Sequence, residues 1–325
     1  VSSESLAFPL PPEPAQPEPS VTEPDPVTAR TGPSASRGPA RRDRLKLTAR
    51  LTDRDRTILG WLAEHYLLSA DQITQAAFPS PAMARLRLKQ LHRIEAVNRF
   101  VDVTTGTRQY LYALGPLGQV VHPARYHDPD RPGAPAARTS VERTERIVGS
   151  RRLAHLLGTN QVFIDLIAAA RTIPGAELVR WWSEQHTTAS YAGFAGIQPD
   201  GHGIWRLAER TVGFWLEHDR GTEPLRTVLD KLPAYARLAD SGGPRYPVLL
   251  HVPSRAREEH LLDALAHLRP SMPVATAVHA DHPAGLAWTL AGDRTRQRRW
   301  LHELPSDHGR VDPVNNPHRW TDPNA

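Results

Sequence analysis

Cysteine is missing from all 325 residues, which removes disulfides, thiolate metal ligands and a cysteine nucleophile together. Lysine is nearly missing as well: of 40 basic residues only Lys46, Lys89 and Lys231 are lysine, and the rest are arginine. No apolar run approaches twenty residues, and the N-terminal segment is acidic and proline-rich rather than basic then apolar. A membrane span and a signal peptide are therefore not expected, membranes are not expected partners, and a cytoplasmic location is. Neither a phosphate-binding G-x-x-x-x-G-K-[ST] loop nor a G-x-G-x-x-G fingerprint occurs, which argues against an NTP-driven helicase or a dinucleotide enzyme. Ser254, His260 and Asp263 lack the G-x-S-x-G elbow of a serine hydrolase.

What is present is enough to build a core, with 39% hydrophobic residues, and a net charge of +5 that permits a polyanionic partner. The 31 prolines gather at the two ends and in one internal stretch, and this divides the chain. Residues 1–49 read as a disordered Pro-rich tail ending in a basic arm, which is either a solvated linker or a phosphate-contacting segment. Residues 50–121 form a first domain, 122–140 a Pro-rich linker, 141–291 a second domain, and 292–325 a polar, basic tail.

In the first domain Thr52 or Asp53 can cap a helix with an apolar stripe of Ile58, Leu59, Leu62 and Tyr66. Ser69 caps a second short helix that Pro79 closes. Pro81 opens a third, which carries Met83, Leu86, Leu88, Leu91 and Ile94 and spreads Arg85, Arg87, Lys89 and Arg93 over its polar side. Two strands, "RFVDV" and "RQYLYAL", follow around the turn "TTGT". Three helices and a hairpin in this order spell a winged helix-turn-helix. Double-stranded DNA is then the expected partner, met by Arg85, Arg87, Lys89 and Arg93 of the third helix and by Thr105 and Arg108 of the wing. A protein-interaction module is the alternative use of the same fold.

The second domain reads α, β, β, β, α, β, α, β, an α+β arrangement with a mixed sheet. Its first helix carries Asn160 within an apolar stripe, either as a bracket to a neighbouring loop or as part of a site. A later helix is expected from Thr222 to about Leu238. In "IQPDGHGIWRLAERTVGFWLEHDRGTE", residues 197–223, two alternating runs flank a turn near Glu209. Antiparallel pairing about that turn sets Asp200 opposite Glu217 to Asp219, with Glu217 and Asp219 on one strand face and Val212, Phe214 and Leu216 on the other. Three carboxylates brought together need positive charge between them. A hard cation such as Mg²⁺ or Mn²⁺ supplies it, or the acids are surface groups neutralised by Arg206, Arg210 or Arg220. A weaker grouping, His251, His279 and His282 with Asp281, has zinc-ligand chemistry but no third ligand fixed by spacing.

"QPDG", "FWLEHDRGTE" and "KLPAY", with the helix "AHLLGTNQVFIDLIAAAR", resemble the plasmid replication-relaxation family over roughly residues 50–290. The resemblance implies a restriction-endonuclease-like second domain whose site reads PD, a strand, then (D/E)xK. It makes Asp200 the first acid and Glu217 the second, while Asp219 stands where that pattern has lysine. Lys231 is the lysine nearest in sequence, and Tyr235 follows it by one helical turn as a core or phosphate-contacting group. The implied function is processing of plasmid or mobile-element DNA by duplex binding and metal-dependent nicking at Asp200, Glu217, Asp219 and Lys231. The implied partners are a plasmid origin and relaxosome or transfer proteins. The alternative is a non-catalytic DNA-binding regulator or relaxosome accessory protein.

Overall fold

In the computed structural model, residues 46–101, 109–122, 147–148, 150, 152–192 and 196–309 are described. Helix α1 (Asp53–His65) begins with a reciprocal cap: Thr52 Oγ1 accepts from the Asp55 N–H, and Asp55 accepts from the Thr52 N–H at 2.7 Å. The chain leaves α1 through Tyr66 at φ 67 and enters a short strand, β1 (Leu67–Ser69), which the sequence pattern does not announce. Ser69 and Gln72 form a second capping box at the start of α2 (Ala70–Ala77).

Helix α3 (Pro81–Arg93) buries Ala84, Leu88 and Leu91, spaced i, i+4, i+7. That stripe overturns the expected one: Met83 and Leu86 are 50% and 63% exposed, because they lie about a quarter to half a turn away from it. Strands β2 (Val97–Val101) and β3 (Tyr110–Leu114) pair antiparallel, and β1 adds to the other side of β3. Residues 102–108, including the expected contacts Thr105 and Arg108, lie outside the described residues, as does the linker beyond His122. Helix α4 (Pro116–Val121) closes this lobe.

The rest is an α+β domain on a seven-stranded mixed sheet, ordered β10-β9-β8-β7-β6-β5-β4. Helix α5 (Arg152–Ala170) leads to β4 (Ala176–Ser183), α6 (Glu184–Ser190), β5 (Gly201–Leu207) and β6 (Arg210–His218). Then come α7 (Leu225–Leu229), α8 (Leu232–Asp240), β7 (Val248–Val252), α9 (Arg255–Leu268), β8 (Val274–Val278), β9 (Leu286–Leu290) and β10 (Arg298–Trp300). Strands β4, β5 and β6 are antiparallel, β6, β7 and β8 are parallel, and β8, β9 and β10 are antiparallel again. The pleat of β6 sends Val212, Phe214 and Leu216 to the α5 face and Trp215 to the face covered by α8 and α9.

Two differences from expectation have simple causes. The helix expected from Thr222 to Leu238 is broken into α7 and α8, because Pro233 has no N–H to give Leu229, and α7 stops there. The chain past Gly292, expected as a polar tail, instead adds β10 to the sheet edge and buries Leu301 and Leu304. Arg298 is held there by Glu258 and the Ala287 carbonyl.

By length and composition α5 could cross a membrane. Here it is packed against the sheet through Val162, Phe163 and Leu166 and against the first lobe through polar bonds. Asn160 Nδ2 donates to the Leu67 carbonyl at 3.2 Å, the bracketing role, and Gln72 Nε2 donates to the Leu157 carbonyl at 2.8 Å. Trp181 of β4 stacks on His65 with centroids 3.8 Å apart. Glu64 completes the junction by accepting from the Ser183 N–H at 2.8 Å and from His186 Nδ1 at 3.1 Å.

Burial alone would raise the Glu64 carboxyl, but the His186 hydrogen bond and the charges of His65 and His186 outweigh it and hold the pKa at about 2. A depressed acid stabilises the fold above its unfolded value, 4.5, and that contribution disappears as pH falls toward 2. Glu64→Gln should therefore cost about 1–3 kcal/mol at pH 7 in urea unfolding. The cost should shrink steadily below pH 4.5, and a pH-independent difference would remove the electrostatic explanation.

Candidate active site

Asp200 directly precedes β5, where Gly201 pairs with Leu216, so the register places Asp200 beside Glu217. The hairpin turns through Ala208 and Glu209, with Ala208 at φ 52, half a residue from the expected centre. Asp200 Oδ2 accepts from the His218 N–H at 2.7 Å, and Oδ1 lies 3.0 Å from His155 Nε2 of α5. Glu217 is 3% exposed and shares the sheet face of Trp215. Its Oε2 lies 2.5 Å from Lys231 Nζ and its Oε1 accepts from the Tyr235 hydroxyl. Lys231 occupies the N-cap position of α8 and Tyr235 comes one turn later, so both side chains lie on one side of the helix and reach one carboxylate.

Asp219 lines the same cavity but has different partners. Its carboxylate pairs with Arg257 of α9, and Oδ1 also accepts from the Gly221 N–H at 2.7 Å. Arg257 donates in turn to the Glu223 carbonyl at 2.6 Å. The structure thus brings Asp200, Glu217 and Lys231 together, with Asp219 on the wall of the same cavity and tied to Arg257 and the loop after β6. Glu184 at the start of α6 lines the same cavity of about 420 Å³ as Asp219, beside Arg152, His155, Asp200, Glu217 and Lys231. Sequence reasoning missed His155 and Glu184. A weak signal existed for Glu184: an acid immediately after the Ser183 cap, at the end of a strand.

The electrostatics are those of acids short of positive charge. Burial first, then the charge of Asp200, push the Glu217 carboxyl up to about 7 against the pull of Lys231 and Tyr235. Burial and Asp200 also raise Glu184. Burial disfavours the Lys231 ammonium, yet Glu217 and Asp200 together overcome it and raise its pKa. His155 is raised in the same way, burial being outweighed by its bond to Asp200. Burial and Glu217 raise the Tyr235 phenol well above its ordinary value, so it is a hydrogen-bond donor here.

The sequence matches the replication-relaxation family over residues 59–248. The chain belongs to that family. No curated protein and no solved structure matches it. The match covers most of the first lobe and the sheet through the start of β7, so it includes Asp200, Glu217 and Lys231.

On the first lobe of this replication-relaxation protein, Arg85, Lys89 and Arg93 are exposed on α3 at intervals of four residues, one stripe along the helix. Arg87 is turned inward instead. Its Nε donates to Asp55 Oδ1 at 2.9 Å, and Asp55 is fully buried. Arg87 therefore anchors α3 to α1.

An acid whose folded pKa exceeds its unfolded value weakens the fold as pH rises between the two, here from 4.5 to about 7. The Glu217→Gln variant lacks that loss. Its melting temperature relative to the natural protein should climb from pH 4.5 to pH 8, and a flat difference would show that Glu217 is not strained by its surroundings.

Proposed function

We propose that this replication-relaxation protein binds duplex DNA through its first lobe, read as a winged helix, and nicks it in the pocket of a restriction-endonuclease-like second domain. The observation that carries the reading is the convergence of Asp200, Glu217 and Lys231 on one cavity from three different elements. The donor set is carboxylate oxygen, partly desolvated and short of positive charge, and it suits a hard divalent cation such as Mg²⁺ or Mn²⁺. Asp200 and Glu217 would hold the ion, with Glu184 in reach of the same cavity. Such an ion, when held there, would supply activation of a water and neutralisation of charge on a scissile phosphate.

The chain's own groups have definable tasks. Lys231 takes the place of the lysine missing at position 219, and its ammonium stays charged at neutral pH because two acids support it. It can face a phosphate oxygen when Glu217 turns to a cation. Tyr235 fixes one Glu217 oxygen, and His155 fixes one Asp200 oxygen, which limits the directions the acids can take. Supercoiled plasmid incubated with Mn²⁺ should be converted to the open-circular form. Glu217→Gln and Lys231→Ala should each slow conversion at least about a hundredfold, and equal nicking by all three proteins would refute the site.

One observation favours the second reading, a DNA-binding regulator or accessory factor without turnover. Both Glu217 oxygens are already engaged by protein donors, as a retired site would have them. Retained DNA affinity with no nicking under any divalent cation is its outcome. Binding itself has a separate test. Arg85, Lys89 and Arg93 are read as phosphate contacts, so replacing all three with alanine should reduce the slope of log K against log salt by about 2.7. An unchanged slope would move the DNA interface off α3.

A further inference from the structure

The pleat that sends Glu217 to the α8 face sends its neighbour His218 to the opposite face, where two other strand ends also present histidine. His251 is on β7 and His279 follows β8, and on each of these strands the residues two back, Leu249 and Ala277, pack on the α5 face. Because β6, β7 and β8 run parallel with His218 paired to His251, their ends are level and the three rings meet. One ring nitrogen from each lies within 4.8 Å of the others. His218 Nδ1 and His251 Nδ1 are 3.4 Å apart. That is close to the separation of two ligand atoms about 2.05 Å from one tetrahedral ion, roughly 3.3 Å.

We propose that His218, His251 and His279 form a binding site for a first-row transition metal of the zinc class, adjoining the carboxylate pocket at His218 but using none of its carboxylates. Three imidazoles without carboxylate or thiolate select such a metal over Mg²⁺ or Ca²⁺. The surroundings match those of a ligating triad. His279 Nε2 donates to the His251 carbonyl at 3.1 Å, which leaves Nδ1 as its lone-pair nitrogen and fixes the ring. Gly158 of α5 lies flat against the His218 ring, where a Cβ would come within 2.2 Å of Nε2. His218 and His251 are buried and His279 is exposed, which gives an ion a way in and leaves a fourth position toward solvent. His282, grouped with these residues by sequence spacing, is not part of the cluster. Its Nδ1 accepts from the Ala284 N–H at 3.2 Å, and Asp281 is paired with Arg255.

The test uses the untagged full chain, stripped with chelator and titrated with Zn²⁺ by calorimetry and with Co²⁺ by visible absorption. One equivalent of Zn²⁺ should bind, and Co²⁺ should give the d–d bands of a four-coordinate ion. His251→Asn and His279→Asn should each weaken Zn²⁺ binding at least about tenfold, and His279, being exposed, should do so without loss of folding by circular dichroism. His282→Asn and Glu217→Gln should leave stoichiometry and affinity unchanged, which separates this site from the carboxylate pocket. Absence of saturable one-to-one binding, or full affinity in both His251→Asn and His279→Asn, overturns the proposal.

Discussion

The end of β6 is where the architecture is decided, because three polar residues in a row must leave one strand in a protein that buries all of them. Glu217, His218 and Asp219 are each less than 9% exposed. A pleated strand cannot point neighbours the same way, and a buried charge or imidazole is tolerated only with partners. Each residue therefore requires its own set: Lys231 and Tyr235 from α8, the histidines of β7 and β8, and Arg257 from α9. Those demands fix where the surrounding helices may sit. Asp219 shares a face with Glu217 yet meets a different helix, since Lys231 comes from the start of α8 and Arg257 from α9.

The position of β6 in the sheet adds to this. It is the strand at which antiparallel pairing with β5 gives way to parallel pairing with β7. The antiparallel side brings in Asp200 from the start of β5, while the parallel side brings in the ends of β7 and β8 at the same level. Sites in open sheets with parallel strands gather at the carboxyl ends of those strands. Both clusters in this protein obey that rule on opposite faces, one of oxygen donors and one of nitrogen donors.

Much of this was legible in the sequence. The alternation on either side of residue 208 gave the register to within one residue, because a two-residue turn leaves little freedom in how its strands pair. The same pattern could not place Asp219, since its direction depends on Arg257, thirty-eight residues away. Glu184 and His155 were hidden for a similar reason: each reaches the cavity through the packing of α6 and α5, which local periodicity does not encode. His218 was overlooked beside two conspicuous acids, and the spacing of His279 and His282 pointed to a loop residue instead of a strand end. On α3 the apolar count included Met83 and Leu86, and only the angular positions of Ala84, Leu88 and Leu91 separate the buried stripe from the exposed one.

The junction between the lobes bears on how a DNA-bound lobe and the carboxylate pocket could act together. His65 and Tyr66, at the end of α1, line the same cavity as Asp200 and Glu217, and Glu64 ties that helix end to β4 and α6. Glu184, the first residue of α6, stands beside His186, which Glu64 holds. Any force on α1 is thus one short helix away from a carboxylate of the pocket. On the proposed reading, a lobe gripping duplex DNA through α3 is not a tether on a flexible strap, because Arg87 and Asp55 lock α3 to α1 and Glu64 locks α1 to the pocket wall. The distance from the groove-facing stripe to the carboxylates is then set by folded structure alone, and the strand segment offered for nicking is fixed by where the first lobe sits.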